Sequence, residues 1–155
     1  MARVLITGMS GVGKSSALLA LSARGHDVVD TDDAGWLDAA GDLVAPAFAA
    51  LLAEPRSAHL FVSATAANQG AFYDRFDAVV LLSAPIDVML ERIDSRTTND
   101  YGKSPTERAL IMEHLATVEP LLRAGATHEV ETTMPLMEVV ARLEEIADGS
   151  RLRSI

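Results

Sequence analysis

Gly8-Met9-Ser10-Gly11-Val12-Gly13-Lys14-Ser15 is a glycine, four residues, then Gly-Lys-Ser. This is the spacing of a P-loop, and the spacing has a mechanism. Backbone N–H groups of the glycine-rich turn converge on phosphate oxygens. Lys14 adds a positive charge at the outer phosphates, and the Ser15 hydroxyl can complete the shell of a Mg²⁺ bound to them. A helix that follows aims its positive end at the same place. The flanks supply the context such a loop needs. Val4-Leu5-Ile6 reads as a short buried parallel strand. Ala17 to Leu21 is helix-forming material, with Gly25 as its stop. An ordinary glycine-rich turn requires neither flank.

Outward from this loop the chain alternates strands and helices. Asp27-Val28-Val29 leads into the acidic turn Asp30-Thr31-Asp32-Asp33, and His59 to Val62 leads into the polar turn Ser63–Gly70. Ala78 to Leu82 is strongly apolar, whereas His128 to Thr132 alternates like an edge strand. Asp42 caps an expected helix with Pro46 in its first turn and Val44, Ala47, Phe48 and Leu51 on one face. Ile86, Met89, Leu90 and Ile93 mark another. Ser104-Pro105-Thr106-Glu107 is a capping box that opens a stripe through Ile111, Leu115, Val118 and Leu122, which Pro120 should bend or end early. Leu136, Val139, Val140, Leu143 and Ile146 mark the last helix. Met89, Met112 and Met137 read as core filler, and the polar stretch from Gly149 to Ile155 reads as a frayed tail. Such alternation predicts an α/β fold with a parallel sheet covered on both faces, its ligands beyond the carboxyl ends of the strands.

The totals narrow the classes. A chain of 155 residues fits a single domain, 1–155, with a real core. No apolar run is long enough to span a membrane, the first strand starts at once, and cysteine is absent. These features predict a cytoplasmic protein with no membrane partner, no disulfides and no thiolate metal site. A net charge of −9 argues against nucleic acid as a partner. One nucleotide needs only a few aligned donors and a metal. His26, His59, His114 and His128 lack metal-ligand spacing and read as structural or surface residues.

The whole chain resembles the small P-loop kinases: shikimate kinase, gluconate kinase, adenylate kinase and the adenylate-kinase-like proteins. Four stretches carry this: the P-loop; Asp30-Thr31-Asp32, which matches the Asp-Thr-Asp of shikimate kinases; Glu91-Arg92-Ile93 through Arg96 before a polar loop, similar to the arginine pair at the lid of adenylate kinases; and Glu119-Pro120-Leu121-Leu122 through Glu131-Thr132-Thr133-Met134-Pro135 to Val139. The resemblance implies a three-layer P-loop NTPase fold with a five-stranded parallel sheet and a short lid at about 97–104. It implies a nucleotide set of Gly8, Ser10, Gly11, Val12, Gly13, Lys14, Ser15 and Ser16. Arg92 would lie against the adenine, Pro135 in its turn would border it, and Arg96 and Arg108 would reach the phosphates. The loop from Thr97 to Lys103 would close over ATP; its Tyr101 and Lys103 can touch the phosphates or merely solvate the loop.

Within that frame the expected catalytic group is Lys14, Asp32, Arg96 and Arg108. Mg²⁺ would be held by Ser15 and, through water, by Asp30, with Asp32 on the acceptor; the two carboxylates can also exchange roles. Acceptor contacts are expected from Asp32, Trp36, Arg56 and Gln69, the region about 33–57 supplying most of them. Packing for Trp36 and plain exposure for Arg56 are the competing readings. The turn after the third strand carries neither the Asp and Arg of adenylate kinases nor the triple glycine of shikimate kinases. The expected activity is transfer of the γ-phosphoryl of ATP to a hydroxyl or phosphate of a small acceptor. The alternatives are a P-loop ATPase or nucleotide-binding regulatory protein without an acceptor, and a kinase for an antibiotic or nucleoside hydroxyl. No Asn-Lys-x-Asp guanine motif is present.

Overall fold

In the computed structural model the chain winds around one sheet of five parallel strands. The structure describes residues 1–97 and 100–153. Thr98 and Asn99 of the expected lid, and Ser154 and Ile155 of the expected tail, lie outside them. The strands are β1 (Arg3–Thr7), β2 (Asp27–Asp30), β3 (Leu60–Ser63), β4 (Ala78–Ser83) and β5 (His128–Glu131). They lie in the order β2-β3-β1-β4-β5. The P-loop strand is therefore central, and successive connections leave it in opposite directions. That switch opens a crevice at the carboxyl ends of the strands.

The helices are α1 (Lys14–Ala23), α2 (Ala45–Ala53), α3 (Ile86–Ser95), α4 (Pro105–Thr117), α5 (Glu119–Gly125) and α6 (Leu136–Arg153), with a 3₁₀ turn over Gln69–Arg75. Alternate strand residues sort the core into two layers. Val4, Ile6, Phe61 and Val80 pack with Ala17, Leu18 and Leu21 of α1, Met89 and Ile93 of α3, and Val139, Val140 and Leu143 of α6. Leu5, Leu60, Val62 and Val79 face the other way, onto Phe48, Leu51 and Leu52 of α2 and onto Phe72 and Phe76. Every residue of β3 and β4 is buried, which is why both read as unbroken apolar runs. β5 sits at the edge and alternates.

Local signals account for most element ends. Gly25, at φ 92°, follows α1, and its N–H donates to Ser22 O at 3.0 Å, a glycine stop. Ser104 Oγ accepts from Glu107 N at 3.1 Å at the head of α4, with Pro105 in the first turn. Pro120 begins α5 after α4 has ended at Thr117.

Three expectations need correction. Asp42 does not cap α2. Leu37 and Leu43 form an antiparallel bridge, and Asp38 and Asp42 bond across it, so the chain is still extended there and Val44 is the N-cap. Pro46 does fall in the first turn, but Leu52 replaces the exposed Ala47 on the inward face. Of the three methionines expected as core filler, Met89 is core, whereas Met112 and Met137 are each 55% exposed. Finally, α6 runs through Gly149 to Arg153 where a frayed tail was expected.

Candidate functional site

β1 ends at Thr7, and the chain turns through the P-loop into α1, which starts at Lys14. The turn depends on its glycines. At Gly11, φ is 84° and a Cβ would stand 2.7 Å from Met89 O. At Gly8 a Cβ would stand 2.5 Å from Leu82 O. The loop is thus pressed against the end of β4 and the side of α3, closer than any side chain permits.

The outward carbonyls of the loop are held by side-chain donors. Thr65 Oγ1 donates to Gly8 O at 2.8 Å, Thr132 Oγ1 to Val12 O at 2.7 Å, and Arg92 Nη1 to Gly11 O at 3.3 Å. Arg92 also holds Thr132, through its hydroxyl at 2.8 Å and its carbonyl. These bonds hold the loop in place at the head of α1. The first-turn N–H groups of α1 have no partner inside the helix, and no acidic residue stands in that turn. This cradle fits an anion.

Lys14 Nζ donates to Gly8 O and to Met9 O, the latter at 3.3 Å. Burial lowers its pKa to about 8; Asp32 and then Asp30 pull it back up, and Arg96 adds to the lowering. A lysine held by carbonyls with its charge disfavoured is the cation a phosphate would stabilise.

Two cavities meet at this lysine. The larger, about 590 Å³, is walled by the P-loop from Met9 to Gly13, by Ser15, Ser16, Arg92 and Arg96, and by Thr132, Met134, Leu136 and Val139 at the start of α6. The smaller, about 230 Å³, is walled by Gly8, Ser63, Ala64, Thr65, Tyr101, Ile111 and His114. Met9, Ser10, Lys14 and Asp32 belong to both.

The acidic turn places Asp32 by anchoring its neighbour. Thr31 is buried, with its N–H and its hydroxyl both donating to Ser63 O, at 3.1 and 2.8 Å. Asp30 Oδ1 accepts from Asp32 N at 3.0 Å, an Asx turn that leaves the Asp32 carboxylate over the crevice. The structure brings Asp32, not Asp30, to the cavity walls. The Ser15 hydroxyl supplies a hard oxygen atom beside the phosphate cradle, which suits Mg²⁺. Among the described residues no three His, Cys, Asp or Glu side chains gather into a cage. Mg²⁺ bound through phosphates needs none.

Several expected site residues lie elsewhere. Arg56 sits at the opposite end of the sheet, where it pairs with Asp27 and Glu54, each at 3.2 Å. Gln69 is 2% exposed: its Oε1 accepts from Ala66 N, and its Nε2 donates to Thr7 Oγ1 and Tyr73 OH. It braces the fold under the crevice instead of reaching into it. Trp36 meets Phe48 edge-on at 6.4 Å, so it packs. Arg108 turns to Asp94 in an ion pair. Pro135 accepts from Glu138 N and Val139 N, capping α6, while Thr132 and Met134 face the cavity. No residue of 33–57 lines either cavity. Lys103 Nζ donates to Arg96 O at 2.8 Å, which fastens the described part of the lid to the end of α3.

Thr65, Thr132, Tyr101 and His114 complete the walls in place of those residues. Hydroxyls in turns are too common to stand out. The available signal was position, because Thr65 and Thr132 each lie just beyond the carboxyl end of a strand.

No protein-family model and no curated protein sequence matches this chain. Solved structures do match along the full length. A shikimate kinase from Acinetobacter baumannii in complex with shikimate has 16% identity and a TM-score of 0.70, covering 98% of this chain and 96% of that one. A gluconokinase from Sinorhizobium meliloti 1021 has 23% identity and a TM-score of 0.65, covering 99% and 98%. A shikimate kinase from Bacteroides thetaiotaomicron has 18% identity and a TM-score of 0.67, covering 95% and 98%. The chain has the fold of the small P-loop kinases.

Proposed function

We propose that this protein is an ATP- and Mg²⁺-dependent phosphotransferase that moves the γ-phosphoryl group of ATP to a hydroxyl of a small acceptor. The observation that carries this reading is the pair of unequal cavities meeting at Lys14, with Asp32 on the wall of both. The larger has room for a nucleoside and phosphates, and the smaller for a second reactant. A hydrolase needs only the first.

In this reading the P-loop N–H groups and the start of α1 bind the β- and γ-phosphates. Arg92 and the turn from Thr132 to Leu136 frame the base, and Arg96 stands beside the outer phosphates. Asp32 accepts the hydrogen bond of the acceptor hydroxyl and takes its proton. The hydroxyl oxygen forms a bond to the γ-phosphorus as the bond to the β,γ-bridging oxygen breaks, and ADP leaves with that electron pair. Mg²⁺, when bound, neutralises the phosphate oxygens. Lys14 supplies the remaining fixed charge, and Tyr101 at the mouth excludes water. Such transfer relies on positioning and charge more than on covalent help from the protein.

ADP release with Mg²⁺, measured against a panel of small hydroxyl compounds, tests the reading. At least one acceptor should raise release tenfold or more over the acceptor-free rate. Lys14→Ala should lower that rate by about 10²–10³-fold with thermal unfolding unchanged. Slow hydrolysis unmoved by any acceptor would overturn the proposal in favour of an ATPase or a nucleotide switch.

A further inference from the structure

The smaller cavity carries information about the acceptor itself. Its walls are formed by Gly8, Met9 and Ser10 of the P-loop, by the polar Ser63, Thr65, Tyr101 and His114, and by the apolar Ala64 and Ile111. Lys14 is the one arginine or lysine on that wall among the described residues, and its ammonium also belongs to the larger, phosphate-facing cavity. Asp32 adds a carboxylate. The nearby cations are engaged elsewhere: Arg108 with Asp94, Lys103 with Arg96 O and Asp100, and Arg92 with Thr132 and Gly11. Arg96 lies on the wall of the larger cavity only.

We infer that the acceptor bears no anionic group: the smaller cavity takes an uncharged polyhydroxy compound of about hexose size or less. The inference rests on the kinase reading above and deepens it. A carboxylate or phosphate on the acceptor would enter a compartment that already holds Asp32 and the γ-phosphate. It would find no arginine fork to take its charge, and burying an unpaired anion is strongly unfavourable. Hydroxyls meet the opposite situation. Ser63 and His114 carry polar groups that suit hydroxyls, Thr65 Oγ1 can still accept while its proton goes to Gly8 O, and Ala64 and Ile111 suit the C–H faces of a polyol. The volume adds a size limit. About 230 Å³ falls below the ~300–1,000 Å³ of pockets for drug-sized ligands. A cavity of that size favours a compact polyol over a drug-sized acceptor.

Matched pairs of acceptors test this with the intact protein, ATP and Mg²⁺: glycerol against glycerate, sorbitol against gluconate, and a cyclic polyol against shikimate, with AMP as a phosphate-bearing control. Acceptor-dependent ADP release and the phosphorylated product are both measured. An uncharged member should exceed its anionic partner at least tenfold in kcat/KM. An anionic member that matches or exceeds its partner overturns the inference and leaves the kinase reading standing. Failure of every acceptor, with nucleotide binding intact, overturns the kinase reading and the inference with it. A second measurement puts a cation on the wall. His114→Arg should narrow the preference for the uncharged member by tenfold or more, and an unchanged preference counts against the cavity as the acceptor site.

Discussion

Lys14 is where a single side chain decides most. Its pKa of about 8 belongs to the protein without nucleotide, and the dominant cause is loss of water around the ammonium. Phosphate oxyanions would favour the charged form and raise that pKa toward or above the ~10.4 of a free lysine. Near pH 8.5 the lysine is then largely neutral before binding and charged after it. Binding of ADP or tripolyphosphate at that pH should take up a sizeable fraction of a proton, and almost none near pH 6.5. Calorimetry in two buffers of different ionisation enthalpy measures the uptake, and its absence at pH 8.5 would contradict the assignment. The importance of this lysine was legible from spacing alone. The fates of Arg56, Arg108 and Gln69 were not, because sequence order does not say which acid an arginine will meet. Asp27 and Glu54 capture Arg56 at the far end of the sheet, Asp94 captures Arg108, and Gln69 is claimed by Thr7 and Tyr73.

At the scale of elements, the lid segment shows how a cap reaches the site. Ser104 caps α4, and Glu107 Oε1 accepts from Gly102 N at 3.2 Å and from Ser104 Oγ at 3.1 Å. Gly102 is buried against Ile93 and Ile111, leaving no space for a Cβ, which would stand 2.7 Å from Ile111 Cδ1. The cap therefore fixes both the head of α4 and the chain carrying Tyr101. Ser104→Ala should destabilise the protein by about 1 kcal/mol in urea unfolding. It should also raise the KM for acceptor more than that for ATP, because Tyr101 lines only the smaller cavity. Equal changes in both would detach the cap from the acceptor side. This start was readable because a capping box is local chemistry. The start of α2 was misread because a long-range bridge between Leu37 and Leu43 overrides the local signal at Asp42.

For the whole molecule, the two core layers meet through the central strands, and Phe48 is the largest fully buried side chain of the second layer. It is fully buried and touches Phe72 with ring centroids 4.9 Å apart. Phe48→Ala should cost about 3–5 kcal/mol, a large share of the stability of a domain this size. Leu121→Ala, at a position 71% exposed, should stay within about 0.5 kcal/mol. Urea midpoints compare the two directly, and similar losses would contradict the layer assignment. All five strands and their alternation with helices were legible in the sequence: burial on both faces leaves unbroken apolar runs in β3 and β4, and the edge position leaves the alternation of β5. The smaller cavity was not, because its wall is assembled from separate segments that only the tertiary fold brings together. Beyond the site, β5 is an edge strand, with a neighbouring strand of the sheet on one side only. Its exposed residues include Glu129 and Glu131, and the strand is only four residues long. A second molecule docking strand to strand would set carboxylates against carboxylates, under a net charge of −9 on each. Glu129 is tied to Arg123 and Ser83, so Glu131 is the charge that guards colloidal behaviour: Glu131→Val should turn a clear concentrated solution into one that scatters light.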